Sequence, residues 1–341
     1  SMHEFVQPSR PDLESYWRGI ILFGSNSATY KFALGLALLE LAQNGKSSVS
    51  LEELAEPYSR YLTTHMKAGK KQGTSASSQF LQGLQQYNRQ EIDREKMIEN
   101  TVLRGFTNVI DAFHNLKGVE VPRFYVDERT ASNKIRLTDN LLKLANSSQF
   151  QNLPHETEAR WKLVETAWDV GLSRALLVVK YDATGKELFV TDTNLKRTDI
   201  TSARNALNGY QKGKCFYCFR DIHVTDHNVH IDHVFPHMLK QRFRAENIPV
   251  NLDGVWNLVM ACQDCNLEKS DQRPHFRYIE RLYRRNEFFI ASHHPLRETL
   301  INQTGVLEAT RRIFLIGLFE QLTVLGKMQN WRAYEEFDPA F

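Results

Sequence analysis

The chain has 341 residues, a length that predicts two domains or three instead of one small core. Its hydrophobic content of 42% and charged content of 24% are those of an ordinary soluble globular protein. The net charge of +3 permits nucleic acid as a partner but does not indicate a dedicated electrostatic binder, which is usually more basic.

The most apolar stretch of the chain is ATYKFALGLALLELAQ, from Ala28. It is interrupted by Lys31, Glu40 and Gln43, and it is too short and too polar to span a bilayer. We therefore predict a buried helix at 28–44. No cationic start leads into an apolar core with a cleavage site, so we expect a cytoplasmic protein with no membrane partner.

The next elements in chain order are signalled by capping and breaker residues. Ser50, with Glu53 three residues later, predicts a capping box that opens a second helix. Pro57 should kink or restart that helix. The polar, basic, Gly/Ser-rich stretch at 66–79 predicts a loop, and residues 87–115 again have a helical pattern.

The stretch RFYVDERTASNKIRLTD, from Arg123, has two β-rich runs around a polar centre and predicts a hairpin. Helices followed by a hairpin are typical of a winged helix-turn-helix, although the long piece between them departs from the simple form. Over 2–150 we therefore predict a helical, winged-helix-like domain for DNA binding or docking, within an α+β, mainly helical chain.

The composition of ANSSQFQNLPHE, at 145–156, predicts an interdomain linker, so we place the second domain at 156–341. A helix at 157–171 should open it. A hairpin in ALLVVKYDATGKELFVTDT and a helix near 199–211 should follow. Beyond residue 274, two further stretches are typical of amphipathic helices that close the domain.

All four cysteines fall into two CxxC pairs, Cys215 with Cys218 and Cys262 with Cys265. Each tight CxxC turn presents two thiolates to one ion, and two such turns complete a tetrahedral zinc site. Disulfides are disfavoured because the chain has no export signal, and unrelated thiols would not share one spacing. The pattern therefore predicts a closed, structural zinc site.

Between the pairs, VHIDHVFP predicts a strand that ends at Asp232 and His233 and is stopped by Pro236. The apolar run VWNLVMA then leads into the second CxxC, and Asn266 is predicted to start a helix and could act as its N-cap. Strand, strand and helix thus follow in this order, with polar groups near the element ends.

Asp232 and His233, then Asn257, then Asn266 resemble the motif of HNH nucleases, which have the ββα-metal fold, in the variant whose last residue is asparagine. The zinc-ribbon form of that family has two flanking CxxC pairs, and the resemblance covers 212–271. Asp-His, Asn and Asn in this order also resemble the HNH domain of RNA-guided CRISPR nucleases. The stretch FGSNSATYKFALGLALLELA resembles the leader domain of bacterial HNH proteins from anti-phage defence loci, including Zorya-type systems.

The resemblance implies a metal-dependent endonuclease that nicks one strand of duplex DNA per active site. Asp232 and Asn266 would hold a catalytic Mg²⁺ or Mn²⁺, since both offer hard oxygen ligands. His233 would act as general base, because its ordinary pKa leaves it mostly neutral at cellular pH. Asn257 would orient His233 through its carbonyl. Other defence-system proteins are possible partners.

Two residues near the motif have open roles. Alternation along the strand places His230 on the face of Asp232, so His230 is either an auxiliary metal ligand or partner of Asp232, or a surface or DNA-facing histidine. Lys269, one turn from Asn266, either neutralises a phosphate or is a solvated lysine.

Basic residues after the motif are the candidate DNA contacts. Arg273 precedes a helix on which Arg277, Arg281 and Arg284 or Arg285 share one face, and this face could form a phosphate track or a solvated surface. Two other functions stay open. One is an RNA-cleaving nuclease, and the other is a zinc-stabilised DNA-binding or assembly module with a silent site.

Overall fold

The computed structural model describes residues 1–6, 12–25, 29–73, 78–169, 178–192, 194–324 and 330–341. Its contacts divide the chain into two compact units. Met2–Gln7 with Pro11–Asp169 form the first unit, and Val170–Phe341 form most of the second. The chain is α+β and mainly helical, which confirms the predicted class. No helix in the described ranges has the length and apolarity needed to cross a membrane.

The first unit is a set of helices with one small antiparallel sheet. The sheet has strands β1 (Ser48–Ser50), β2 (Tyr125–Glu128) and β3 (Lys134–Leu137) in the order β1-β3-β2. The hairpin predicted from Arg123 is therefore confirmed, with a short helix between its strands. The helices are α1 Met2–Val6, α2 Leu13–Phe23, α3 Tyr30–Gln43, α4 Leu51–Lys67, α5 Gln79–Asn88, α6 Arg94–Arg104, α7 Val109–Ala112, α8 Arg129–Ser132, α9 Asp139–Ala145 and α10 Asn152–Asp169.

Local signals account for several of these helices. The buried helix predicted at 28–44 is α3, whose described end residues are Tyr30 and Gln43. The capping box is present, since the Ser50 hydroxyl accepts from the Glu53 amide while the Glu53 carboxylate accepts from the Ser50 amide. The helix does not restart at Pro57, because α4 is continuous across it. The region 87–115 forms α6 and α7 with turns between them.

Helix α10 belongs to the first unit, although the sequence placed a linker before it and assigned it to the second domain. Glu156 of α10 pairs with buried Arg18, with its oxygens 2.7 and 2.8 Å from the guanidinium. Trp161 donates to Gln72 at 2.8 Å, and Glu165 lies 2.9 Å from the His65 ring. The polar stretch at 145–156 thus lies inside the first unit, as a turn at 146–151 followed by the first residues of α10, and it does not link two domains.

The second unit has small sheets and long closing helices. The predicted hairpin is confirmed in β4 and β5, which pair antiparallel, and β5 also pairs with β6. The part of that predicted hairpin at 175–177, and the end of the helix predicted to residue 171, lie outside the described residues. The strands are β4 Lys180–Asp182, β5 Glu187–Thr191, β6 Arg197–Ser202, β7 Val229–His233, β8 Leu258–Cys262, β9 Arg273–Pro274 and β10 Asn330–Trp331. The helices are α11 Ala203–Gln211, α12 Leu239–Ala245, α13 Gln263–Lys269, α14 Phe276–Ala291, α15 Arg297–Thr304 and α16 Glu308–Val324.

Candidate functional site

The two CxxC turns meet in one buried cluster. The four sulfur atoms all lie within 4.8 Å of one another, and the Sγ atoms of Cys218 and Cys262 are 3.7 Å apart. Tetrahedral zinc with Zn–S bonds of about 2.3 Å requires sulfur pairs about 3.8 Å apart. All four thiols are free of disulfides and buried. The cluster therefore fits a structural metal such as zinc.

The four thiols of the cluster shift one another's pKa. Burial raises the pKa of the Cys215 thiol, and a hydrogen bond with Cys215 raises that of Cys265. Hydrogen bonds with the same thiol lower the pKa of Cys218 and Cys262. Four thiolates repel one another at these distances, so all four can be deprotonated together only around a cation such as Zn²⁺.

A strand–strand–helix unit is attached directly to this cluster. Strand β7 pairs antiparallel with β8, with Val229 opposite Cys262 and His233 opposite Leu258. Cys262 ends β8 and is also the N-cap of α13, so the second CxxC forms the junction of strand and helix. Asn266 therefore lies within α13 and not at its start, which corrects the predicted helix boundary and its N-cap role.

Asp232 is partly neutralised by two buried partners. Its Oδ2 accepts from the Tyr217 hydroxyl at 2.5 Å and lies 3.2 Å from Nζ of Lys269. Burial, followed by the charge of Asp232, raises the pKa of Tyr217 far above its usual range, which keeps that hydroxyl a donor. The Asp232 Oδ1 has no hydrogen bond to any described residue, so one carboxylate oxygen is left for a metal ion.

Lys269 is a buried residue of the site. Its side chain is 1% exposed, and its ammonium donates to the carbonyl of His233 at 2.8 Å as well as facing Asp232. The solvated alternative is therefore wrong. Direct neutralisation of a phosphate is also disfavoured, because the ammonium is already used inside the protein.

His233 is held by a carboxylate that the sequence analysis did not identify. Its Nε2 lies 2.9 Å from Oδ1 of Asp253, whose Oδ2 accepts from Lys240 at 2.8 Å. His237 lies beside them, with its Nε2 3.7 Å from Asp253. The hydrogen bond from His233 holds the pKa of Asp253 well below its usual range. The Nδ1 of His233 has no partner among the described residues.

The Asn257 side chain makes no hydrogen bond to the His233 ring in the described structure, which differs from the role implied by the resemblance. Its amide oxygen accepts from the Phe235 amide at 2.8 Å, and its amide nitrogen donates to the carbonyls of Phe235 and Leu252 at 3.1 and 3.0 Å. Asn257 is fully buried. It ties the end of β7 to the loop before β8, and so it positions Asp253 and His233 through the backbone.

Gly254, the residue after Asp253, is required for close packing of the loop. A Cβ on Gly254 would lie 2.6 Å from Cδ1 of Trp256, so a larger residue there would displace the indole. The indole nitrogen donates to the Asn251 carbonyl at 2.8 Å. This contact folds the loop that carries Asp253 back on itself.

Asn266 and His230 have no hydrogen-bonded side chain among the described residues, and both are partly buried. The side chain of Asn266 is therefore available as an oxygen donor. Strand pairing places His230 opposite Ala261, two residues from Asp232 along β7. Burial, and then the charges of Lys186 and Arg204, lower the pKa of His230 and favour a neutral ring. Both roles considered for His230 stay open.

The predicted track of arginines is wrong for its central members. Arg281 is buried and donates to the carbonyls of Phe216 and Tyr217, the latter at 3.2 Å. Arg285 is buried and donates to the carbonyls of Leu258, Val255 and Trp256. Both therefore hold the ββα unit from within.

The two outer arginines differ from each other. Both oxygens of Glu336 accept from Arg277 at 2.8 Å, which neutralises it. Arg273 donates to the side chains of Asn330 and Thr323, which carry no charge. Arg273 is therefore the one of the three predicted DNA contacts whose hydrogen bonds here go to neutral side chains, which leave its positive charge available.

Two of the residues that sequence reasoning missed had weak local signals. Tyr217 lies inside CFYC, where a residue between zinc ligands is expected to be close to the metal cluster. Asp253 is four residues before Asn257, in the turn that leads to the second strand. Neither signal shows which distant side chain the residue meets.

Comparisons with protein-family models, curated proteins and solved structures give no match to this chain.

Proposed function

We propose that the chain is a metal-dependent HNH endonuclease that hydrolyses DNA phosphodiester bonds. The observation that carries this proposal is the position of Asp232 and His233 at the end of β7, in a ββα unit attached to a four-cysteine cluster. Among the described residues, one oxygen of Asp232 and one ring nitrogen of His233 have no hydrogen-bond partner. Both features support a site that takes a metal ion and a proton.

The proposed general base is the pair of His233 and Asp253. With Nε2–H donating to the Asp253 carboxylate, Nδ1 of the neutral ring has its lone pair free for a water proton. The carboxylate then stabilises the imidazolium that forms. Asp253 is a positioning residue in this proposal, because it acts through His233.

The proposed metal ligands are Asp232 and Asn266, both oxygen donors of the kind Mg²⁺ and Mn²⁺ prefer. When bound, such an ion supplies Lewis-acid stabilisation of charge on the phosphate. Lys269 and Tyr217 hold the carboxylate of Asp232 in place. One base and one metal site predict a nick in one strand per site. A double-strand break would need two copies or two events.

Duplex DNA is the proposed substrate, and the first unit is a candidate winged-helix-like DNA-binding or docking domain because it combines helices with a three-stranded sheet. A role in anti-phage defence with other proteins of such a system is part of the same proposal, and it depends on the resemblance of the leader stretch. RNA cleavage is the alternative substrate.

A silent zinc-stabilised module is the second candidate function, and one observation favours it. The ammonium of Lys269 already lies 3.2 Å from Asp232, and a divalent cation at that carboxylate would be repelled by it. An active site therefore requires metal binding strong enough to overcome this repulsion.

The test is a plasmid-nicking assay with zinc-loaded protein, with Mg²⁺ or Mn²⁺ added or omitted. Omission is better than a chelator here, because a chelator would also attack the cysteine cluster. We expect metal-dependent nicking and an at least ~100-fold slower rate in His233→Ala. Asp253→Asn should give a smaller loss, and Asp232→Ala should abolish nicking with either metal because it removes the proposed metal ligand.

The matched control is His227→Ala, an exposed histidine in the loop before β7, which should nick at the wild-type rate. Labelled DNA and RNA strands of one sequence separate the two substrates. Absence of nicking with either metal, or nicking unchanged by His233→Ala, would reject the nuclease and favour the silent module.

A further inference from the structure

Two buried cations lie at the start of α3 in the first unit, far in sequence from the ββα site. Arg160, on α10, is 4% exposed, and its Nε and Nη1 atoms have no hydrogen-bond partner within the described ranges. Its guanidinium lies 5.8 Å from the ring centroid of Phe23, at the end of α2. A buried guanidinium normally has a carboxylate or several carbonyls around it. Arg160 has an aromatic ring instead.

Lys31 is the second cation. It is 8% exposed, lies in the first turn of α3, and donates to the carbonyl of Gly24 at 3.0 Å. Burial first, and then the positive charge of Arg160, hold the pKa of Lys31 well below its usual range. The two cations are therefore close enough to repel each other.

The N-terminus of α3 adds a third source of positive potential. Its N-cap residue, Thr29, makes no side-chain cap, because the hydroxyl is used on Gln72. The first backbone N–H groups of an α-helix attract anions when they lack partners. At α3 the N–H of Thr29 donates to the Gln72 carbonyl and that of Phe32 to the Thr29 carbonyl, so the N–H groups of Tyr30 and Lys31 are the ones without a partner among the described residues. This helix has 14 residues, which gives it a substantial dipole.

No carboxylate of the residues that the structure describes offsets these charges, and the contrast with Arg18 in the same unit is direct. Arg18 is equally buried but has both oxygens of Glu156 within 2.8 Å. Burial alone lowers the pKa of Arg160 to about 9, and no acidic group opposes that effect. An uncompensated buried cation pair is costly, and a bound anion would remove much of that cost.

We propose that Arg160, Lys31 and the N-terminus of α3 form a binding site for a phosphate group. A tetrahedral oxyanion with two negative charges matches two cations and can accept from guanidinium, ammonium and backbone donors together. Because both cations are more than nine-tenths buried, the internal phosphates of a duplex cannot reach them. The ligand is therefore a small phosphate compound or the terminal phosphate of a strand.

The test is isothermal titration calorimetry of the full, zinc-loaded chain with inorganic phosphate, at ionic strength matched with chloride. We expect saturable binding that weakens at least tenfold in Arg160→Met and in Lys31→Met. Arg94→Gln replaces an exposed arginine of the same unit and should bind as the wild type does. His233→Ala should also bind normally, which separates this site from the proposed nuclease.

Further titrations identify the source of the phosphate. Adenosine monophosphate and a pair of short oligonucleotides, with and without a 5′-phosphate, distinguish a free nucleotide from a strand end. Arg160→Met should fold, because it removes an unpaired charge. If it does not fold, phosphate binding by Lys31→Met tests the proposal. Phosphate that binds no better than chloride, or binding that survives both substitutions, would overturn the proposal.

Discussion

The ββα site and the cation pair of the first unit differ in whether their buried charges have opposite charges beside them. At the ββα site each carboxylate near the end of β7 has an opposite charge beside it, Asp232 with Lys269 and Asp253 with Lys240. Arg160 and Lys31 have no such partner in the described part of the chain. A metal at the first site must compete with an internal cation, whereas an anion at the second would meet only positive charge.

The largest expected effect comes from the four-cysteine cluster of the second unit, because four thiolates need a cation between them. Cys265→Ser removes a zinc ligand, and zinc binding at such sites is worth on the order of 10 kcal/mol. We expect loss of zinc and unfolding of the ββα unit, measured by metal content and by limited proteolysis. Gln263→Ser, an exposed change in the same CxxC turn, should keep its zinc. A folded, metal-free variant would contradict the structural role.

Removing one buried cation from the ββα site and one from the cation pair of the first unit should have different effects on stability. Lys269→Met leaves the largely buried Asp232 with the Tyr217 hydroxyl but without an opposite charge, and it should lower the free energy of unfolding by about 3 kcal/mol. Arg160→Met removes a charge with no partner and should leave stability unchanged or raised. Urea unfolding measures both. Added Mg²⁺ or Mn²⁺ should restore part of the stability of Lys269→Met, because the metal replaces the lost charge at Asp232. Equal losses of unfolding free energy in Lys269→Met and Arg160→Met would show that the two buried cations are compensated alike.

A smaller effect is expected at His65 in the first unit. Unlike Arg160 and Lys31, this buried side chain has carboxylates beside it. Its ring nitrogens lie 2.9 Å from Glu165 and 2.8 Å from Glu158, and the ring stacks on Trp161. Burial opposes the charged form, but the two carboxylates outweigh burial and raise the pKa of His65 to about 9.

Because the folded-state pKa of His65 is raised above its unfolded value, the stabilisation is complete below about pH 6.5 and is lost as the pH rises through 9. The loss should be up to about 3 kcal/mol in the free energy of unfolding. His65→Gln should flatten this dependence, whereas His155→Gln, an exposed change on α10, should leave it intact. A wild-type stability that is flat from pH 6.5 to 9 would exclude a charged His65.

Sequence reasoning was most successful where neighbours along the chain decide the structure. The capping box depends on residues three apart, and the β2/β3 hairpin on two short β-rich runs. It was less successful where a helix meets a distant partner. Helix α10 was assigned to the wrong unit because its contacts with Arg18, His65 and Gln72 depend on residues about a hundred positions away.

The spacing of the cysteines, and the order of Asp232, His233, Asn257 and Asn266, were readable from the sequence alone, because ligand geometry and strand periodicity act over a few residues. Only the tertiary structure decided which partners the charged side chains have. It showed Asp253, and not the Asn257 side chain, beside His233, Lys269 beside Asp232, Arg281 inside the unit, and Arg160 beside Lys31. The physical reason is that the cost of a buried charge depends on the groups around it, and those groups come from distant parts of the chain.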